Sequence, residues 1–324
     1  MCTAATYKTD NFYFGRTLDY DISYPCEITI TPRNFPFEFK DAENLKQHYA
    51  IIGMAYNKDG FPLYFDAMNE KGLCIAGLNF PENAVYSKPI HSKYNIAQFE
   101  LIPSLLGQCA DLNQAKKMLC KINITDTPFS KDLPVSPLHW IIADKSGALT
   151  LETTVSGINI YDNTIGILTN NPTFTEQLTN LSNYMHLSPK EPVNLFSDKV
   201  TIKPYSRGMG AIGLPGDLSS SSRFVRAAFV KLNSASDNTE SGSISQFFHI
   251  LGSVEQQRGC CETENGKYEI TQYTSCCNAD KGIYYYTTYS NRSISAVNML
   301  SCNLDSNETI KFPLLTEQKI NFQN

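Results

Sequence analysis

Short runs in which apolar and β-branched residues alternate with polar ones dominate the first half of the chain, and alternation of period two marks a half-buried strand. Residues 3–7 and 12–17 form the first two runs, and Lys8-Thr9-Asp10-Asn11 between them gathers turn formers, so the pattern predicts a hairpin at the start of the chain. Runs at 27–31, 49–56, 73–78, 139–143, 149–154 and 159–161 predict further strands. Apolar residues at helical spacing predict helices over 96–108, over 111–122 with Asp111 as N-cap, over 174–187 after Thr173, and over 221–232 and 243–251. Strands return at 282–289 and 294–299. Strands that come in runs, with helices grouped between them, predict an α+β fold built on antiparallel sheet. No linker or repeat divides the 324 residues, which reads as a single domain over 2–324.

Composition narrows the function classes. Hydrophobic residues make up 42% and charged residues 18%, the latter below the roughly 25% of average soluble domains, so the chain is expected to fold around a sizeable core. A net charge of −5 and the lack of any Lys/Arg run speak against nucleic acid as a partner. No apolar stretch reaches the roughly 20 residues of a bilayer span, and Met1-Cys2-Thr3-Ala4-Ala5 lacks the basic start and apolar run of an export signal. A cytoplasmic protein with no membrane partner is therefore expected, and in that compartment the ten cysteines stay as thiols. Cys260-Cys261 and Cys276-Cys277 lack C-x-x-C spacing, and the nearest histidine, His249, belongs to no H-x-x-x-H pair, so no metal is expected. Gly208, Gly210 and Gly213 match G-x-G-x-x-G, but Lys203-Pro204 before them and Leu214-Pro215-Gly216 after them leave no strand or helix to flank a dinucleotide. They read as a connecting loop.

Cys2 is different in kind. Removal of Met1 places a thiol and a free α-amine on one residue, with ordinary pKa values of about 8.5 and about 7.7–8.0. Nucleophile and base then coincide, which suits acyl transfer. On position alone, a cysteine there is better explained as a residue that merely permits methionine removal. Its company in the hairpin shifts that balance, because Arg16 and Asp19 close the strand that pairs with its own. A guanidinium beside the sulfur favours thiolate, while a carboxylate on the α-amine holds that base and raises its pKa. An ordinary surface ion pair is the alternative.

In order and spacing, Met1-Cys2-Thr3, Phe14-Gly15-Arg16-x-x-Asp19-Tyr20, Thr31-Pro32-Arg33-Asn34, Met68-Asn69-Glu70-Lys71-Gly72-Leu73, Ala76-Gly77-Leu78-Asn79-Phe80, Leu168-Thr169-Asn170-Asn171-Pro172, Gly213-Leu214-Pro215-Gly216-Asp217, Ser222-Arg223-Phe224 and Gln272-Tyr273-Thr274-Ser275 run nearly end to end. This set resembles the choloylglycine hydrolase group of N-terminal-nucleophile hydrolases, and within it the bacterial conjugated bile salt hydrolases. The resemblance implies a four-layer αββα sandwich with two antiparallel sheets, assembled as a homotetramer. It implies Cys2 as nucleophile after loss of Met1, Arg16 and Arg223 near the sulfur, Asp19 and Asn170 on the amine, and Asn79 at the oxyanion hole. The substrates implied are glycine- or taurine-conjugated bile salts, with no cofactor. Their steroid body calls for an apolar cleft, for which the aromatic loops 20–25 and 61–65 are candidates through Tyr24 and Phe65; plain core packing explains these two residues equally well.

Two rivals stand beside this reading. Penicillin V acylases of the same group use the same nucleophile but tend to carry Tyr where this chain has Asn79, which favours bile salts. A non-catalytic steroid-binding protein, with Cys2 buried and inert, would tolerate Met1.

Overall fold

A computed structural model describes residues 1–264 and 266–324. The expected hairpin forms from β1 (Cys2–Lys8) and β2 (Phe12–Tyr20), paired antiparallel with Cys2 opposite Leu18 and Lys8 opposite Phe12. Both strands are buried along almost their whole length, which means that both faces of this hairpin are covered.

Four strands follow, β3 (Cys26–Thr31), β4 (Ile51–Lys58), β5 (Phe61–Asn69) and β6 (Cys74–Asn79), each paired antiparallel with the next. Residues 61–65 are thus not a loop. They open β5, where the alternating exposure of Phe61, Leu63 and Phe65 against buried Pro62 and Tyr64 is the period-two signature. The helix expected from residue 96 starts later. Ile96 and Ala97 belong to β7 (Tyr94–Ala97), which pairs in parallel with β8 (Ile122–Thr125), so the intervening helices shorten to α1 (Leu101–Gln108) and α2 (Leu112–Leu119). Asp111 caps α2 as expected, accepting from the Gln114 amide at 2.8 Å.

Beyond it lie β9 (Leu138–Asp144), β10 (Gly147–Thr154), β11 (Gly157–Asp162) and β12 (Ile167–Leu168), then α3 (Phe174–Leu181), α4 (Ser220–Asn233) and α5 (Glu240–Gly252). α3 ends six residues before the expected 187, and a 3-10 turn over Ser182–Tyr184 tightens its exit. The chain closes with β13 (Ile270–Asn278), β14 (Ile283–Thr288), β15 (Ser295–Asn298) and β16 (Ile310–Pro313). The glycine-rich segment is a loop, with Gly208 and Gly213 at φ +82° and +98° flanking one 3-10 turn.

The strands form a six-stranded sheet, β12-β1-β2-β13-β14-β15, and an eight-stranded sheet, β11-β10-β9-β6-β5-β4-β3-β16, both antiparallel. Alternation along β4 sends Ile52 and Met54 into the core between the sheets and Ile51 and Ala55 into a second core beneath α1, with Leu105 and Leu106. On the far side, Phe224 of α4 and Phe247 of α5 close over the six-stranded sheet. Helix, sheet, sheet, helix is the resulting order of layers.

Gly15 of β2 shows how tight the six-stranded sheet is. A Cβ there would lie 2.0 Å from the carbonyl oxygen of Ser275 on β13. Gly15→Ala must push β2 off β13 and is expected to cost about 3 kcal/mol, read as a lower urea midpoint at an unchanged m-value. An unchanged midpoint would contradict this packing.

Candidate active site

β1 begins at Cys2, and strand parity decides what surrounds it. Cys2 pairs with Leu18, so the two share a sheet face, and Arg16, two residues from Leu18, shares it as well. That face looks between the sheets. Thr3, Thr17 and Asp19 fall on the other face, towards α4.

On the inner face Cys2 is 4% exposed and Arg16 1%. Nη2 of Arg16 contacts Cys2 Sγ, Nη1 donates to the carbonyls of Gly77 and Phe65, and Nε donates to that of Thr17 at 3.2 Å. Burial works against the charge of Arg16, but the Cys2 sulfur, with Tyr273, Asp66 and Asp19, outweighs burial and holds the guanidinium above its ordinary pKa.

The nitrogen of Cys2 has its own partner, donating to Asn170 Oδ1 at 2.7 Å. Asn170 lies just past β12, where its backbone N–H donates to Ser220 Oγ at 2.8 Å and its Nδ2 to the carbonyl of Asn79 at 2.7 Å. Asn79 closes β6 and is half-buried, so Asn170 links the first strand of one sheet to the centre of the other. The next residue, Asn171, turns away and donates to the carbonyl of Pro81. His139 braces this segment from behind: its two ring nitrogens face Glu152 Oε1 at 3.2 Å and the Thr169 carbonyl at 2.8 Å, and its ring stacks on Phe80.

Arg223 of α4 is wholly buried, with its pKa pushed down by that burial. It donates to the carbonyl of Cys2, to Thr3 Oγ1 at 2.7 Å and to Asn170 Oδ1 at 2.8 Å. It reaches the backbone of Cys2 rather than its sulfur, because α4 packs on the sheet face opposite to the one the sulfur occupies. Asp19 also lies on that face. Its carboxylate accepts from Thr271 Oγ1 at 2.6 Å and Thr17 Oγ1 at 3.0 Å, while its backbone pairs with Met1 through its N–H at 2.9 Å and its carbonyl at 2.6 Å. The Met1 ammonium forms an ion pair with Glu269.

Tyr24 and Phe65 stand together, ring centroids 5.7 Å apart, and the Phe65 carbonyl is an acceptor of Arg16. Tyr24 lines a small cavity of 180 Å³ beside Leu18, with Ile270, Arg258 and Tyr289, and burial with Tyr20 pushes its phenol up to about 12. Phe65 backs Tyr24 without lining that cavity. A wider cleft of 630 Å³ opens at the opposite end of β1, around Lys8, Phe12 and Lys231, away from every residue named for catalysis.

Glu269, Ser220 and Thr271 escaped the reading of the sequence, and Ser275 entered it only within the block 272–275, with no role of its own. Thr271 and Ser275 left a faint trace in the hydroxyl-rich β13, whereas nothing near Glu269 in the chain ties it to residue 1. All ten cysteines are free thiols. No group of three His, Cys, Asp or Glu side chains among the described residues is arranged to hold a metal, and no helix among them is long and apolar enough to cross a membrane.

Residues 2–312 match the family model for linear amide C–N hydrolases, choloylglycine hydrolase family. A bile salt hydrolase/transferase from Lactiplantibacillus plantarum is 58% identical over 317 residues, covering 98% of both chains. A mutant of the conjugated bile acid hydrolase from Clostridium perfringens superposes with a TM-score of 0.93 at 37% identity, over 100% of each chain. A penicillin V acylase from Agrobacterium tumefaciens shares the fold, with a TM-score of 0.75 at 19% identity over 97% of this chain and 92% of that one.

Proposed function

The chain belongs to the choloylglycine hydrolase family of linear amide C–N hydrolases, and from that premise we propose that it deconjugates bile salts, cleaving the amide to glycine or taurine with Cys2 as an N-terminal nucleophile. The observation that supports this most is the pair of contacts on either side of Cys2, Arg16 at its sulfur and Asn170 at its nitrogen.

Loss of Met1 converts that nitrogen from an amide into an amine, with Asn170 Oδ1 already in place to orient it. The amine takes the thiol proton, and Arg16 stabilises the thiolate. Attack on the substrate carbonyl forms a C–S bond and a tetrahedral oxyanion, stabilised by N–H donors around Asn79. Collapse breaks the C–N bond, and the α-ammonium gives its proton to the departing glycine or taurine. Water, deprotonated by the now neutral amine, then hydrolyses the thioester and frees the bile acid. Arg223 acts as a strut that fixes the Cys2 carbonyl and Asn170, and Asp19 holds the strand end beside the new terminus. Tyr24 and Phe65 supply apolar surface for the steroid.

Amino acid release from glycocholate and taurocholate, set against phenoxyacetate release from penicillin V, tests the substrate class. Larger kcat/KM for the bile salts is expected, and faster penicillin V cleavage would reverse the assignment. Steroid binding without turnover of either would make the protein a carrier. The homotetramer belongs to the same proposal, and light scattering distinguishes it from a monomer.

A further inference from the structure

Arg16 carries a full charge between two sheets, yet its own hydrogen bonds end on neutral carbonyls and on a thiol. A buried cation held in this way requires a counter-charge nearby. Asp66 of β5 is 0% exposed, follows Phe65 whose carbonyl Arg16 holds, and takes no part in the mechanism above.

The surroundings of Asp66 are built to receive charge. Its Oδ1 accepts from Tyr273 Oη at 2.6 Å, and its Oδ2 accepts from Tyr284 Oη at 2.7 Å and Ser275 Oγ at 2.9 Å. All three hydroxyls come from β13 and β14, so the carboxylate ties the eight-stranded sheet to the six-stranded one beneath Arg16. Ser275 Oγ also accepts from the backbone N–H of Arg16 at 3.0 Å, which gives a continuous path from Asp66 to Arg16. Burial pushes the Asp66 carboxyl above its ordinary pKa, and Arg16 with the three converging donors works against that, each favouring the ionised form.

We propose that Asp66 is a positioning residue that divides the positive charge of Arg16 with the sulfur of Cys2, and so sets how readily the thiol ionises. The inference rests on Cys2 being the reactive thiol. An anion near both groups draws on the field of Arg16 and opposes a second anion at the sulfur, so removing its charge must favour thiolate. The guanidinium itself stays in place, held by the carbonyls of Thr17, Phe65 and Gly77. The titratable groups that share this field are Arg16 and Asp19 on β2, Cys26 on β3, Cys74 on β6, Tyr273 and Cys277 on β13, Tyr284 on β14 and Arg223 on α4.

The test is the pH dependence of iodoacetamide alkylation at Cys2, followed by mass in the N-terminal peptide of the intact, Met1-free protein. Asp66→Asn should move the profile to lower pH by roughly one pH unit. Tyr284→Phe removes one donor while keeping the ring, which disfavours the Asp66 anion, so it should move the profile the same way by less. It carries the test alone if Asp66→Asn does not fold. A carboxylate that only ties the sheets together would lower stability and leave both profiles on that of the parent, and superposed profiles overturn the proposal. A parent whose Cys2 does not alkylate at any pH would instead remove the nucleophile assignment, and this inference with it.

Discussion

Cys2→Ala is expected to retain bile salt binding and to release glycine from glycocholate at least about 10⁴-fold more slowly than the parent. The substitution removes the one atom that can form the thioester. Among the described residues that hydrogen-bond to it, Arg16, Asn170 and Arg223 carry no group that can add to a carbonyl. The fold should survive, because alanine keeps the strand backbone, the Asn170 contact at 2.7 Å and the Arg223 contact to the carbonyl, and deletes a single sulfur. Initial rates with a ninhydrin readout, beside a thermal melt, measure both halves. Activity within about tenfold of the parent, in a protein verified by mass, is incompatible with a covalent route through this residue.

A chain that keeps Met1 should be almost as inactive, by about 10²–10⁴-fold, which is the usual worth of a positioned general acid–base. With Met1 attached, the nitrogen of Cys2 is a peptide amide with no basic lone pair, and its only proton is committed to Asn170. The charged terminus is displaced onto Glu269, one residue too far along the chain to serve the sulfur. Arg16 still contacts the thiol, so Cys2 should still alkylate, and this separates the loss of the base from the loss of the nucleophile. Inserting between Met1 and Cys2 one bulky residue that blocks methionine removal likewise keeps the cysteine nitrogen a peptide amide. Intact mass paired with glycocholate turnover reads it, and full turnover by a chain of unprocessed mass contradicts the role given to the amine.

Both results turn on features that differ in how visible they were. The hairpin, the capped start of α2, the helix over Ser220–Asn233 and the antiparallel α+β character follow from local periodicity, turn residues and caps, all encoded within a few positions of where they act, whereas the pair of sheets came only with the family resemblance. Local reading failed where a partner decided the outcome. Ile96 and Ala97 fit a helix until β8 offers them a parallel strand, and 61–65 looks like a loop until β4 and β6 pair with it. The site divides along the same line. Arg16 and Asp19 could be brought to Cys2 by hairpin register alone, but Asn170 lies 168 residues away along the chain and Arg223 221 residues from the carbonyl it holds. Those positions came from the likeness of whole blocks to a family, and no spacing rule yields them.

By itself, then, the sequence determined a candidate nucleophile, the strand that would bring it an arginine, and a candidate proton carrier in its own nitrogen, because these depend on neighbours in one hairpin. Only the tertiary structure decided that the sulfur faces the gap between sheets while Arg223 and Asp19 stand behind it, and that Asp66 lies beneath Arg16. The reason is geometric: side chains alternate across a strand, so function depends on which layer covers each face, and that is settled by packing between segments more than a hundred residues apart.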